Sequence, residues 1–437
     1  MEAIQKKCDA SGTANFRERE LDCSLVLRSA FKEYQQNLRS HILSLPDGSK
    51  EWWKLNRELI NRKTKQCSIP PLKTPSGEWI LEPAAKAELL AGSFQSKSKL
   101  PDAVADPEPI MQDVDVGMSE FMLIRSRWVL KVLRALDVNK ATGPDDLPAR
   151  ILKECAHDLA VALAILIRFL LRMRCWPQLW RFHKIHPLFK KGSHSNPFNY
   201  RGVHLTNVIS KVVERVIGLQ LTAYFERVGA YGGDQWVFRQ NHSCRDLVTL
   251  LVTRWIWAMD SGFKVAIYLS DIAGAFDRVD RSIIVARLRS VGLSKPMVDF
   301  LFQYLAPRVA AVIVQGKSST KFTIEDEIFQ GTVLGPPLWN VFFEPVDTPI
   351  RSCSFQPAKF ADDLTASKNF ESSTSNAAIN AQLHEVQQVV HDWGSQNRVT
   401  FDAAKEHCCI LHKLNCEGDV FKLLGVLIDT NSTCIRK

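Results

Sequence analysis

Two adjacent carboxylates, Asp362 and Asp363, sit inside the short apolar segment AKFADDLTAS (residues 358–367). No basic residue lies nearer to them than Lys359 and Lys368. A divalent cation is a natural partner for paired acids in that setting, because hard cations take oxygen ligands. A third acid, Asp271, ends the β-rich run FKVAIYLSD (263–271). If AKF and LTA pair as a hairpin, Asp362 and Asp363 occupy its tight turn, and Asp271 on a neighbouring strand faces them. Three carboxylates on adjacent strand ends suit two Mg²⁺ ions, with Mn²⁺ as a substitute. Such ions activate an attacking hydroxyl and stabilise a leaving pyrophosphate. The bland reading, a pair of solvated turn aspartates, is the commoner one for an isolated Asp-Asp.

The elements that must position these acids are legible in the pattern. Helices are expected at about 148–173, 207–224, 280–290 and 379–393, where apolar residues recur at i, i+3, i+4. HCCIL and FKLLGVLID read as short strands. Strands and helices alternate without a regular βαβ rhythm, which favours an α+β fold with helices on one side of a small antiparallel sheet. The run LAVALAILI (159–167) is too short to span a bilayer and reads as a buried helix. No membrane segment and no secretory leader is expected, which places the chain inside the cell, in nucleus or cytoplasm.

The 437 residues carry a formal net charge of +9. That balance suits an anionic partner, of which nucleic acid is the commonest, and equally suits a merely basic soluble protein. Eleven cysteines without a CxxC pair read as free thiols in a reducing compartment. His407, Cys408, Cys409, His412 and Cys416 have a tempting zinc composition. Their spacing does not reproduce a zinc knuckle, so the cysteines are read as structural.

Seven segments, taken in order, resemble the reverse transcriptases of non-LTR (LINE-type) retrotransposons. They are KATGPDDLPARILKE (140–154), CWPQLWRFHKIHPLFKKGSHSNPFNYRG (175–202), VFRQNHSCRDLV (237–248), SDIAGAFDRVD (270–280), QGTVLGPPLWNVFF (330–343), FADD (360–363) and FKLLGVLID (421–429). The resemblance implies right-hand polymerase fingers and palm over 121–437, with the helical thumb largely missing. It also implies an N-terminal helical extension over 1–100, while the aperiodic mix of Pro, Asp and Ser in 94–117 reads as a linker, set at 101–120. Asp271, Asp362 and Asp363 would be the catalytic metal ligands. Phe276 would be the steric gate under the incoming sugar, excluding a 2′-hydroxyl. Gln330 and Gly331 would lie against the nucleotide, and Lys190, Lys191 and Arg201 would grip its triphosphate. Lys405 aligns loosely with a lysine that donates a proton to pyrophosphate. The implied partners are a template RNA, a DNA primer and dNTPs. The implied reaction is RNA-directed DNA synthesis, and the alternative is a truncated or decayed fragment that binds nucleic acid without activity. The sequence gives no oligomeric state.

Overall fold

The computed structural model describes residues 2–10, 13, 15–46, 49, 52, 69–101, 122–413, 417–418 and 420–428. Residues 53–68 of the expected N-terminal extension, and all of the expected linker but Pro101, lie outside the described residues. The chain forms two compact units.

The first unit takes Met1–Phe94, Ile185–Val203 and Ala311–Phe322. It holds the helix Phe16–Ser44, the two-stranded hairpin Leu72–Lys73 with Trp79–Ile80, and most of the helix Pro83–Lys97. It also carries most of a sheet whose strands run in the order Tyr200–Leu205, Phe182–Phe189, Arg308–Val314, Lys317–Ser318.

The second unit takes Gln95–Lys184, His204–Ala310 and Thr323–Lys437. Its site-bearing elements, in chain order, are helix α1 (Val208–Arg227), helix α2 (Cys244–Asp260), strand β1 (Lys264–Asp271) and helix α3 (Gly335–Phe343). Strands β2 (Gln356–Phe360) and β3 (Asp363–Phe370), helix α4 (Asn376–Gln396), strand β4 (His407–Leu411) and the hairpin β5 (Phe421–Leu423) with β6 (Val426–Ile428) follow. The central sheet has the order β4-β1-β3-β2, and each neighbouring pair in it is antiparallel.

Strand β1, KVAIYLSD, is buried at every position but its last. Val265, Ile267 and Leu269 pack with Leu247, Leu251 and Trp255 of α2 and with Phe421, Leu423 and Ile428 of the β5–β6 hairpin. Ala266 and Tyr268 point the other way, into a core shared with Ile379, Leu383, Val386 and Val390 of α4. The sequence places helices on one side of the sheet. The structure covers both faces, α2 lying on the second, because a strand that is apolar at consecutive positions must be buried on both. Asp271 is then the residue at which the strand emerges.

Three other sequence expectations are adjusted. The helix expected over 148–173 is two helices, Ala149–Glu154 and Ala156–Arg172, with a break at Cys155. LAVALAILI is buried on one side only: Leu163, Ala164 and Ile167 are covered, while Val161 and Ile165 are exposed. FKLLGVLI is a hairpin whose turn places Leu424 (φ 48°) and Gly425 (φ 93°) in the left-handed region, and Asp429 lies outside the described residues. Helix α4 is found where periodicity predicts it, and the Ser375 side chain caps it by accepting from the Ala378 N–H at 3.2 Å. The mixed α and β composition with small sheets agrees with the fold class read from the sequence.

Candidate active site

The register between β3 and β1 sets Asp363 directly opposite Asp271. Asp363 also pairs with Phe360 across the β2–β3 hairpin, so the tight turn holds Ala361 and Asp362. The sequence puts Asp362 and Asp363 in that turn; the structure starts a strand at Asp363 instead. The one-residue difference has a local cause. Ala361 adopts φ 61°, which costs an L-residue about 1–2 kcal/mol. Its peptide groups are held on both sides. The Ala361 N–H donates to Gln235 Oε1 at 3.2 Å, and the Ala361 carbonyl accepts from Trp339 Nε1 at 3.1 Å and Gln235 Nε2 at 3.4 Å. Gln235 and Trp339 are both fully buried. Buried amide and indole groups need partners, and here they use the turn's backbone.

Lys405 Nζ is bonded to Asp271 Oδ2 and lies 3.1 Å from Asp402 Oδ2. The Asp402 N–H donates to the Asp271 carbonyl at 2.9 Å. Burial works against the Lys405 charge, but its bonds to Asp271 and Asp402 outweigh that, and the ammonium pKa is raised. Among the described residues no three His, Cys, Asp or Glu side chains gather at the spacing of a finished metal centre. The chemistry of the donors nonetheless fits magnesium: carboxylate oxygens at strand ends, one of them already paired with a cation. A cavity of about 400 Å³ opens beside them, lined by Asp271, Asp363, Phe360, Lys405, His407 and Lys422 among others.

A second group of expected residues assembles around the turn Ala275–Asp277. The half-buried Phe276 ring stacks on Trp339, with centroids 5.2 Å apart and planes at 22°. The Gln330 side-chain amide donates to Asp277 Oδ1 at 2.6 Å, and the Gln330 carbonyl accepts from the His204 N–H at 2.9 Å. The His204 ring lies 3.0 Å from Glu327 Oε1 and 2.9 Å from His183 Nδ1. Burial, with the Glu327 charge adding to it, pushes the Asp277 carboxyl up to about 6. Burial holds His183 well below the usual imidazole range. Gly331 is exposed at φ 101°, a conformation that favours glycine and keeps the backbone bare. The following segment is anchored by the buried Glu214 of α1, which accepts from the Val333 N–H at 2.6 Å, the Tyr304 hydroxyl at 3.2 Å and the Leu334 N–H at 3.3 Å.

Lys190, Lys191 and Arg201 belong to the first unit, and all three are exposed. The Lys190 N–H bonds the Asn199 carbonyl at 2.8 Å, and Gly192 turns the chain at φ 85°. Cys408 is half-buried and Cys409 buried on β4, with burial raising both thiol pKa values, that of Cys408 to about 11. Protonated thiols in a core match the structural reading; Cys416 lies outside the described residues. Sequence reasoning gave no role to Gln235, Asp277, Asp402 or Trp339. Asp277 and Trp339 lie within the family-like segments SDIAGAFDRVD and QGTVLGPPLWNVFF, and Gln235 showed only as a glutamine in the apolar setting GGDQWVF.

Residues 189–428, more than half of the chain, match the reverse transcriptase (RNA-dependent DNA polymerase) family. The chain is 24% identical over 438 residues to the probable RNA-directed DNA polymerase from transposon X-element of Drosophila melanogaster, covering 94% of this chain and 47% of that protein. It is 24% identical to the probable RNA-directed DNA polymerase from transposon BS of the same organism, covering 93% and 45%. It is 26% identical to the RNA-directed DNA polymerase from mobile element jockey of D. melanogaster, covering 88% and 44%. The chain thus spans about half the length of these relatives. The FADD hairpin and the acid-ended strand lie within the match over 189–428, and the chain belongs to the reverse transcriptase family.

Proposed function

We propose that this chain is an RNA-directed DNA polymerase that extends a DNA primer on an RNA template. The observation that carries the proposal is the register that sets Asp363 against Asp271 with Asp362 in the adjoining turn. On this reading the β4-β1-β3-β2 sheet is the palm of a right-handed polymerase, and the first unit, with its exposed Lys190, Lys191 and Arg201, supplies fingers. Magnesium held by Asp271, Asp362 and Asp363 would make the primer 3′-hydroxyl a better nucleophile and neutralise charge on the pyrophosphate. The protein's own part is positioning and electrostatics. Phe276, backed by Trp339, forms the wall beside the sugar. Gln330 is fixed by Asp277 and by the His204 backbone, and Gly331 lets the nucleotide approach the main chain. Lys190, Lys191 and Arg201 balance the charge that spreads over the phosphates during transfer. Lys405, which lines the cavity, would pass a proton to the leaving group.

Primer extension tests the proposal. The purified chain is given a DNA primer annealed to an RNA template, dNTPs and Mg²⁺, with Asp362→Asn run in parallel. Extension that the variant loses is the expected result. Salt-sensitive binding of the duplex without extension would replace the proposal with that of a nucleic-acid-binding remnant.

A further inference from the structure

Trp339 touches both halves of the site. Its ring is fully buried and backed by Phe342, with centroids 5.6 Å apart, and by Phe343 at 5.4 Å. Its front face lies nearly parallel to Phe276, and Phe238 meets the same Phe276 ring edge-on at 6.5 Å. Its indole N–H reaches the carbonyl of Ala361, the residue before Asp362. One rigid bicyclic side chain therefore spans from the Phe276 ring to the turn of the acid hairpin.

We propose that Trp339 is a positioning residue that fixes the Phe276 wall relative to the acid turn and so sets the discrimination against ribonucleotides. The inference rests on the reading of Phe276 as the wall beside the incoming sugar. A wall excludes a single hydroxyl only if it cannot retreat, since the clash it imposes is relieved by a small ring movement. Phe276 has one face toward the core, and that face meets Trp339. Trp339 in turn cannot slide back, because Phe342 and Phe343 close the space behind it in a densely packed core. Nor can it rotate without breaking its 3.1 Å bond to the Ala361 carbonyl, the shorter of the two that carbonyl accepts. Gln235 grips the same residue through its N–H and its carbonyl, so the turn is the fixed end of this brace and Phe276 the supported end.

The test is Trp339→Phe, which keeps an aromatic face but shortens the brace and removes the N–H. It is read as kcat/KM for a dNTP and for the matching rNTP on one primer–template, beside Phe276→Ala. The expected result is a loss of about tenfold in deoxyribonucleotide preference, carried by a rise in ribonucleotide kcat/KM. A role in folding alone would lower both values together. An unchanged preference in a folded Trp339→Phe, while Phe276→Ala loses it, overturns the inference. If Phe276→Ala also keeps its preference, the wall reading fails and the inference falls with it; if the wild-type chain extends no primer, the proposed function fails first. Should Trp339→Phe not fold, Trp339→Tyr fills more of the pocket and is read by the same ratio, with the same outcome overturning the inference.

Discussion

Asp271 and Asp363 stand opposite one another on neighbouring antiparallel strands, and Lys405 is seated on the first of them. Like charges placed directly across a sheet destabilise it, so the lysine offsets a repulsion built into the register. Lys405→Met is expected to lower stability by about 1 kcal/mol in magnesium-free buffer, the worth of a partly exposed ion pair. Added Mg²⁺ is expected to restore most of the loss. Urea denaturation with and without the ion measures both; no deficit contradicts the pairing, and a deficit that Mg²⁺ leaves untouched contradicts magnesium binding at these acids.

Glu214 ties the start of α3 to α1 through two backbone N–H groups and the Tyr304 hydroxyl. It is buried, and burial raises its carboxyl pKa. Glu214→Ala strands three buried donors and opens a void, for an expected loss of about 3 kcal/mol. Glu214→Gln keeps an acceptor and is expected to lose less. Equal urea midpoints for the two variants would argue against the hydrogen-bonded anchor.

The Asp277 carboxyl, pushed up to about 6 mainly by burial, faces Glu327, His204 and Lys97 as well as the Gln330 amide. Its folded value is above the ordinary 3.8, so the folded chain takes up this proton before the unfolded chain does. Stability from this group is therefore fully present below 3.8 and is lost as pH rises through about 6. Asp277→Asn is expected to flatten that part of the stability profile by on the order of 3 kcal/mol. Urea midpoints taken on either side of the window show it; parallel profiles for wild type and variant refute it.

Lys359 and Asp347 form an ion pair at 2.7 Å, and the lysine side chain is fully buried. Burial raises the Asp347 carboxyl to about 6 even though Lys359 pulls it down. Removing one partner of such a pair costs about 3–5 kcal/mol because the other is left alone in the core. Lys359→Met is expected to show that loss, and Lys359→Met with Asp347→Leu to recover much of it. Additive losses in that double-mutant cycle would mean the two groups are not coupled.

The acid strand, the hairpin that follows and helix α4 were legible because each has a local signature: a β-rich run, a short apolar pair flanking acids, a 3.6-residue period. The exact turn was not. Ala361 has no intrinsic reason to adopt φ 61°, and the residues that hold it there, Gln235 and Trp339, are 126 and 22 positions away in sequence. The same holds for the covering of the sheet's second face by α2 and for the Asp277–Gln330 bond, formed across 53 positions. Side chains that act by supporting others leave no pattern of their own in a single sequence.

The ammonium of Lys405 on Asp271 bears on the order of events in the life of the molecule. In a zinc finger the ion is a nucleus, and binding energy is folding energy. Here the sheet end carries a counter-charge supplied by the chain itself, so the facing acids are balanced without an ion. On the proposed reading, loading is an exchange of one cation for another at Asp271. In such an exchange Lys405 would keep Asp402, 3.1 Å away, as its partner.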